Sequence, residues 1–150
     1  MERGGSSGPT ILLDLFLTNQ QRKRMIEAAL AETELPAEDY PVYVLVGAEG
    51  PWTPTGLAAR LEMPLSTMLF RLGRLERRGH AERFPNPDDR RSYLIRLTQD
   101  GERLLGEARP MFRDYAEAVE VRLGSKKIGA LRAGLEELRQ AVVAELEARS

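Results

Sequence analysis

The 150-residue chain has no cysteine and a single histidine, His80. The first absence excludes a disulfide framework, a thiolate zinc site, a cysteine nucleophile and sensing by thiol oxidation. The second excludes a histidine-rich metal centre. No apolar run approaches the roughly 20 residues that a membrane span needs. Met1 to Thr10 is rich in glycine and serine and lacks the apolar core of a signal peptide, so a cytoplasmic protein is the expectation. Lysine is scarce as well: only Lys23, Lys126 and Lys127 stand against a large set of arginines. With 42% apolar and 30% charged residues, the composition is that of a globular chain, and its length fits one domain.

The net charge of -1 taken whole argues against a nucleic-acid partner, but it hides an asymmetry. Between residues 60 and 96 there are nine arginines and five acids, a net of +4; the remainder carries thirteen basic and eighteen acidic residues, a net of -5. A local basic region in an acidic body suits an anion-binding face, although a solvated charged helix has the same appearance.

Residues 1–9 read as a disordered tail, and residues 10–150 as one domain. Thr10 to Leu30 carries two apolar strips at helical spacing. Glu32 to Ala37 reads as a loop. Tyr40 to Ala48 is a short apolar run that fits helix and strand alike. Thr53-Pro54 is a helix start, a hydroxyl N-cap followed by proline at the first helical position. Met63-Pro64 closes that helix, because a residue before proline avoids helical geometry. A second helix follows from Pro64 to Arg78, with Gly79 at its C-terminal left-handed position. His80 to Phe84 and Ser92 to Leu97 read as strands joined by a charged turn. Thr98 is expected to cap a helix kinked at Pro110, and Ser125 a last helix with a seam at Ile128, Leu131, Leu135, Leu138, Val142 and Leu146.

On a helical wheel with Thr67 at zero, Met68, Leu72 and Leu75 fall between about 80° and 140°. Arg71, Arg74 and Arg78 fall within about 40° of Thr67, flanked by Phe70 and Arg77 near 300° and 280°. One face is core and the other reads as a hydroxyl with three arginines. That face fits the major groove, where arginine pairs bidentately with guanine. Free N–H groups at Leu65 to Thr67 suit a phosphate. An ordinary amphipathic surface helix gives the same pattern; the basic turn at Arg90 and Arg91 beside it is what suggests a winged helix-turn-helix.

From Thr53 to Gly101 the sequence resembles the DNA-binding core of the MarR family of winged-helix transcriptional regulators. The resemblance rests on Leu57-Ala58-Ala59-Arg60-Leu61, Ser66-Thr67, Arg74-Leu75-Glu76-Arg77-Arg78-Gly79 and Glu82-Arg83. Its most specific part is the wing pattern met by Asp89, Arg91, Leu97, Thr98 and Gly101. The resemblance implies a mainly α fold, with a winged helix-turn-helix core over residues 38–98, a two-stranded wing, and dimerisation helices at 10–33 and 99–149. It implies a homodimer that binds a pseudo-palindromic operator in double-stranded DNA, most simply as a repressor. By that resemblance Ser66, Thr67, Arg71 and Arg74 meet DNA in the major groove, Arg90 or Arg91 reaches the minor groove or its phosphates at the wing tip, and Asp89 holds Arg91 in place; the wheel adds Phe70 and Arg78 to the DNA-binding set, with both Arg90 and Arg91 kept as candidates. Phe70 departs from the polar residues usual there; it either touches a thymine methyl or packs on the wing. The family's effector pocket would fall near Phe16, Tyr40, Tyr43, Trp52, Met111 and Tyr115, for a small apolar or aromatic ligand, though each of these residues also reads as plain core.

No enzyme, cofactor or metal is expected. Asp88-Asp89 lacks a third ligand, no serine has a base, and His80 reads as a packing residue. The alternative from another class is a winged-helix module whose arginine face meets an acidic protein, favoured by Leu69 and Phe70.

Overall fold

The computed structural model describes residues 8–150; residues 1–7, most of the expected tail, lie outside the described residues. Six helices and one hairpin follow in the order α1 (Ile11–Ala29), α2 (Tyr40–Glu49), α3 (Pro54–Arg60), α4 (Leu65–Arg77), β1 (Ala81–Pro85), β2 (Tyr93–Leu97), α5 (Gln99–Leu123) and α6 (Ser125–Ala148). The mainly α winged helix-turn-helix expected from the sequence is the fold observed.

The chain divides inside α5 into two compact units, one running to Phe112 and one from Arg113 to Ser150. The core of the first is built by Val42, Tyr43, Leu57, Met68, Leu72, Leu75, Ile95 and Leu104, all essentially inaccessible to solvent. The apolar run at Tyr40, undecided by periodicity, is a helix with Tyr40, Val42, Tyr43, Leu45 and Val46 buried, so that little of it faces water to show a period.

The local stops and starts have identifiable causes. Thr53 caps α3 through its hydroxyl, which accepts from Gly56 N at 3.0 Å; such a cap contributes about 1 kcal/mol. Glycine at 56 lies close under the Trp52 ring, 3.3 Å from where a Cβ would stand. Between α3 and α4 the chain turns through Glu62, which holds a left-handed φ of 50°. Gly79 closes α4 at φ 72° as expected.

β1 and β2 pair antiparallel, Ala81 opposite Leu97 and Pro85 opposite Tyr93. Trp52 adds an isolated antiparallel bridge to β2, exchanging backbone hydrogen bonds with Ile95. The start of α5 is locked to the end of α4: Thr98 Oγ1 donates to Gly79 O at 2.6 Å, and Gly101 N donates to Thr98 Oγ1 at 3.2 Å. Gly101 cannot carry a side chain, since its Cβ would lie 2.1 Å from the His80 carbonyl oxygen. The Leu-Thr-x-x-Gly pattern thus has a mechanical basis.

The second unit holds the rest of α5 with α6, joined by an Arg132–Glu120 ion pair at 3.2 Å. Ser125 is not the cap of α6: that place falls to Gly124, whose φ of 81° makes the turn that a serine would resist. The α6 seam is present but has no buried residue, and Leu131, Leu135, Val142 and Leu146 stand exposed.

Candidate nucleic-acid interface

Helix α4 exists because Met68, Leu72 and Leu75 share one buried face. That face centres near 110° on the Thr67 wheel, so the direction facing away from the core lies near 290°, not at zero. The residues there are Ser66, Phe70, Gly73 and Arg77, with Leu69 beside them; Ser66, Leu69, Phe70 and Arg77 are exposed. The arc of Thr67, Arg71 and Arg74 is a flank, and all three residues are half-buried.

That flank is spent inside the protein. Arg74 Nη2 donates to Asp39 Oδ1 at 2.6 Å, and its Nη1 to Glu38. Arg71 donates to the Glu38 carbonyl oxygen and lies 3.6 Å from Asp39 Oδ1. The Asp39 side chain is wholly buried, and that of Arg74 is 22% exposed. Burial opposes the charge on Arg74, but hydrogen bonds from it to Glu38 and Asp39 outweigh this and hold the guanidinium above its ordinary value. The hydrogen bond from Arg74 likewise holds the Glu38 carboxyl below the usual 4.5. Two arginines expected to stand free on the groove-facing side therefore clamp α4 to the start of α2.

Other arginines are neutralised in the same way. Arg83 pairs with Glu76 at 2.8 Å and lies over the Tyr93 ring. Arg96 pairs with Glu82 at 2.7 Å and lies over Phe84. Arg77, Arg90 and Arg91 are exposed and form no ion pair among the described residues. Arg78 is exposed as well.

The wing tip is tied together by its own side chains. Asn86 Oδ1 accepts from Asp88 N at 3.0 Å, and Asn86 Nδ2 donates to Ser92 Oγ at 2.7 Å. Asp89 Oδ1 accepts from the backbone N–H of Arg91 at 2.9 Å. Asp89 thus holds the main chain of Arg91 and leaves its guanidinium outward. At the start of α4, Pro64 supplies no side-chain cap, so the N–H groups of Leu65 to Thr67 remain as donors.

The residues expected around an effector have these surroundings, each within its own unit. Phe16 and Tyr115 are exposed. Tyr40 packs on Phe112 with ring centroids 4.7 Å apart. Tyr43 is fully buried, its hydroxyl 2.8 Å from His80 Nδ1, which gives His80 the packing place expected for it. Trp52 Nε1 donates to Leu45 O at 3.1 Å, and Met111 is half-buried. A cavity of about 550 Å³ opens in the first unit, lined by Arg22, Lys23, Ile26, Pro41, Met63 and Arg71 among others, and Phe16, Tyr40, Tyr43, Trp52 and Met111 do not line it. No group of side chains that would hold a metal occurs among the described residues.

Helix-turn-helix, locked hairpin and following helix define a winged-helix protein. No family model matches the chain. Over 87 residues it is 32% identical to the multiple antibiotic resistance protein MarR of Salmonella typhimurium, a segment that spans 58% of this chain and 60% of that protein. The corresponding protein of Escherichia coli is 30% identical over the same length. Among solved structures, mutant MarR from E. coli complexed with operator DNA superposes with a TM-score of 0.79 at 24% identity, covering 85% of this chain and 94% of that one. The S. aureus MepR–DNA complex gives 0.81 at 18% identity, covering 89% and 99%. The fold is thus that of the winged-helix MarR and MepR structures, and the stretch of sequence likeness is to MarR.

Proposed function

We propose that the chain is a transcriptional regulator that binds a pseudo-palindromic operator as a homodimer and represses by occupying it. The observation that carries this reading is the outward face of α4, where Ser66 stands beside the free N–H groups of the helix start and Arg77 is exposed at the helix's other end. The same unit presents Arg90 and Arg91 on a pre-ordered wing tip. These groups suit phosphate and base edges, and the fold is shared with two proteins solved on DNA. The interface that follows is Ser66, Phe70, Arg77, Arg78, Arg90 and Arg91, with Thr67 at its margin; Arg71 and Arg74 hold the helix that presents it.

The exposed apolar strips of α1 (Ile11, Leu12, Phe16) and of α6 (Leu131, Leu135, Leu146) supply surface for a second copy to cover. With recognition helices about one helical turn of DNA apart, such a dimer fits two half-sites. The chain acts by binding rather than catalysis, in the cytoplasm where its DNA lies. The test is a gel shift against the DNA upstream of its own gene. Retardation that weakens steeply with salt is the expected result; no retardation at low salt would refute the reading.

A further inference from the structure

The sequence leaves Phe70 between a thymine contact and packing on the wing, and the structure removes the second. Phe70 is 62% exposed, and among the described residues its one ring contact is with the Arg74 guanidinium, 5.3 Å from the ring centroid. The wing's own aromatic rings, Phe84 and Tyr93, are each already stacked with an arginine, Arg96 and Arg83. We propose that Phe70, with Leu69 beside it, reads thymine in the major groove through the C5-methyl group. This rests on the DNA-binding reading above and names the base that reading leaves open.

The surroundings of the ring select this occupant. Along the outward face of α4, Ser66 lies one turn before Phe70 and Arg77 two turns after it, both exposed and polar. The helix start adds unbonded N–H groups. Glu76, the helix's one acid, is paired with Arg83, so no free carboxylate meets an approaching anion. The face is therefore cationic and hydrogen-bonding at its ends and apolar at its centre. The major groove is its complement, with phosphates on the walls and the thymine methyl as the apolar group on its floor. Gly73, the next residue on this face, has no side chain to hold the helix away from the bases. An acidic protein surface would complement the arginines but leave the ring facing carboxylates.

The experiment selects binding sites for the full-length chain from a randomised duplex pool. The selected site is then remade with uracil for thymine, which deletes only the methyl groups. Hiding one methyl from water corresponds to about four-fold in affinity, so contacts in both half-sites lead to a loss of roughly ten- to twenty-fold. Phe70→Ala is expected to bind the thymine site more weakly and to bind both versions equally, while Phe70→Leu keeps part of the discrimination. Circular dichroism of the variants checks that they fold. Wild-type chain that binds both versions equally would overturn the proposal and leave DNA binding intact. So would Phe70→Ala retaining the full thymine preference. A pool from which no sequence is enriched would overturn the regulator reading, and this proposal with it.

Discussion

Replacing Arg74 with alanine would strip the guanidinium from a carboxylate that has no access to water. The Asp39 side chain is fully buried, with Oδ1 on Arg74 at 2.6 Å and Oδ2 without a partner among the described residues. Breaking a buried pair by deleting one member costs roughly 3–5 kcal/mol, because the remaining charge stays desolvated. Two features soften that here. Arg71 remains 3.6 Å from the same oxygen, and the Arg74 side chain keeps about a fifth of its surface in solvent. A loss of about 2–4 kcal/mol is therefore expected. It would be read from urea unfolding followed by the fluorescence of Trp52, the chain's one tryptophan, at a fixed protein concentration. A double-mutant cycle with Asp39→Ala should return a coupling of at least about 1 kcal/mol. A loss below about 0.5 kcal/mol, or no coupling, would refute the assignment of Arg74 to the interior. So would a shallower salt dependence of DNA binding in Arg74→Ala, because that marks a phosphate contact.

Arg77→Ala and Arg90→Ala should do the reverse: unchanged unfolding midpoints, and a log–log salt slope of DNA binding shallower by about one unit each. Gly101→Ala should destabilise by more than about 2 kcal/mol, since its Cβ would press on the His80 carbonyl; an unchanged urea midpoint would contradict that. Glu62→Gly relieves a left-handed φ worth about 1–2 kcal/mol but loosens the unfolded chain, so a small net gain in melting temperature is expected. Burial raises the Tyr43 phenol above its ordinary 10, with Arg78 opposing. The folded state then holds that proton more tightly, so its contribution is complete below pH 10 and is lost as pH rises through the raised value. Urea midpoints measured from pH 9 upward should fall more steeply in wild type than in Tyr43→Phe.

Much of the fold was legible because its punctuation is chemically strict. Thr53-Pro54, Gly79 and the turn-rich Pro85 to Arg91 each permit few backbone outcomes, and each sits where expected. The helical state of Tyr40 to Ala48 was not legible, because a segment buried on most sides has no polar face to mark its period. Ser125 misled because a hydroxyl signals a cap only if the chain enters the helix extended, and here Gly124 makes a left-handed entry instead. The site was half legible. Its arginines and wing were evident, but placing zero at Thr67 rather than opposite Met68, Leu72 and Leu75 pointed the helix about 70° away from its true outward direction. Arg77 was on that wheel and was passed over. Asp39 carried no signal at all, since an acid in a loop is ordinary until the fold buries it against an arginine from residue 74.

The wing tip bears on how fast an encounter becomes a complex. Freezing a loop residue's backbone costs about 1–2 kcal/mol, and a slack loop meets that cost on contact with its target. In this chain the hydrogen bonds of Asn86, Asp89 and Ser92 have already met it during folding. Arg90 and Arg91 thus arrive with only their own side-chain rotations to settle, and collisions need not wait for a rare loop shape.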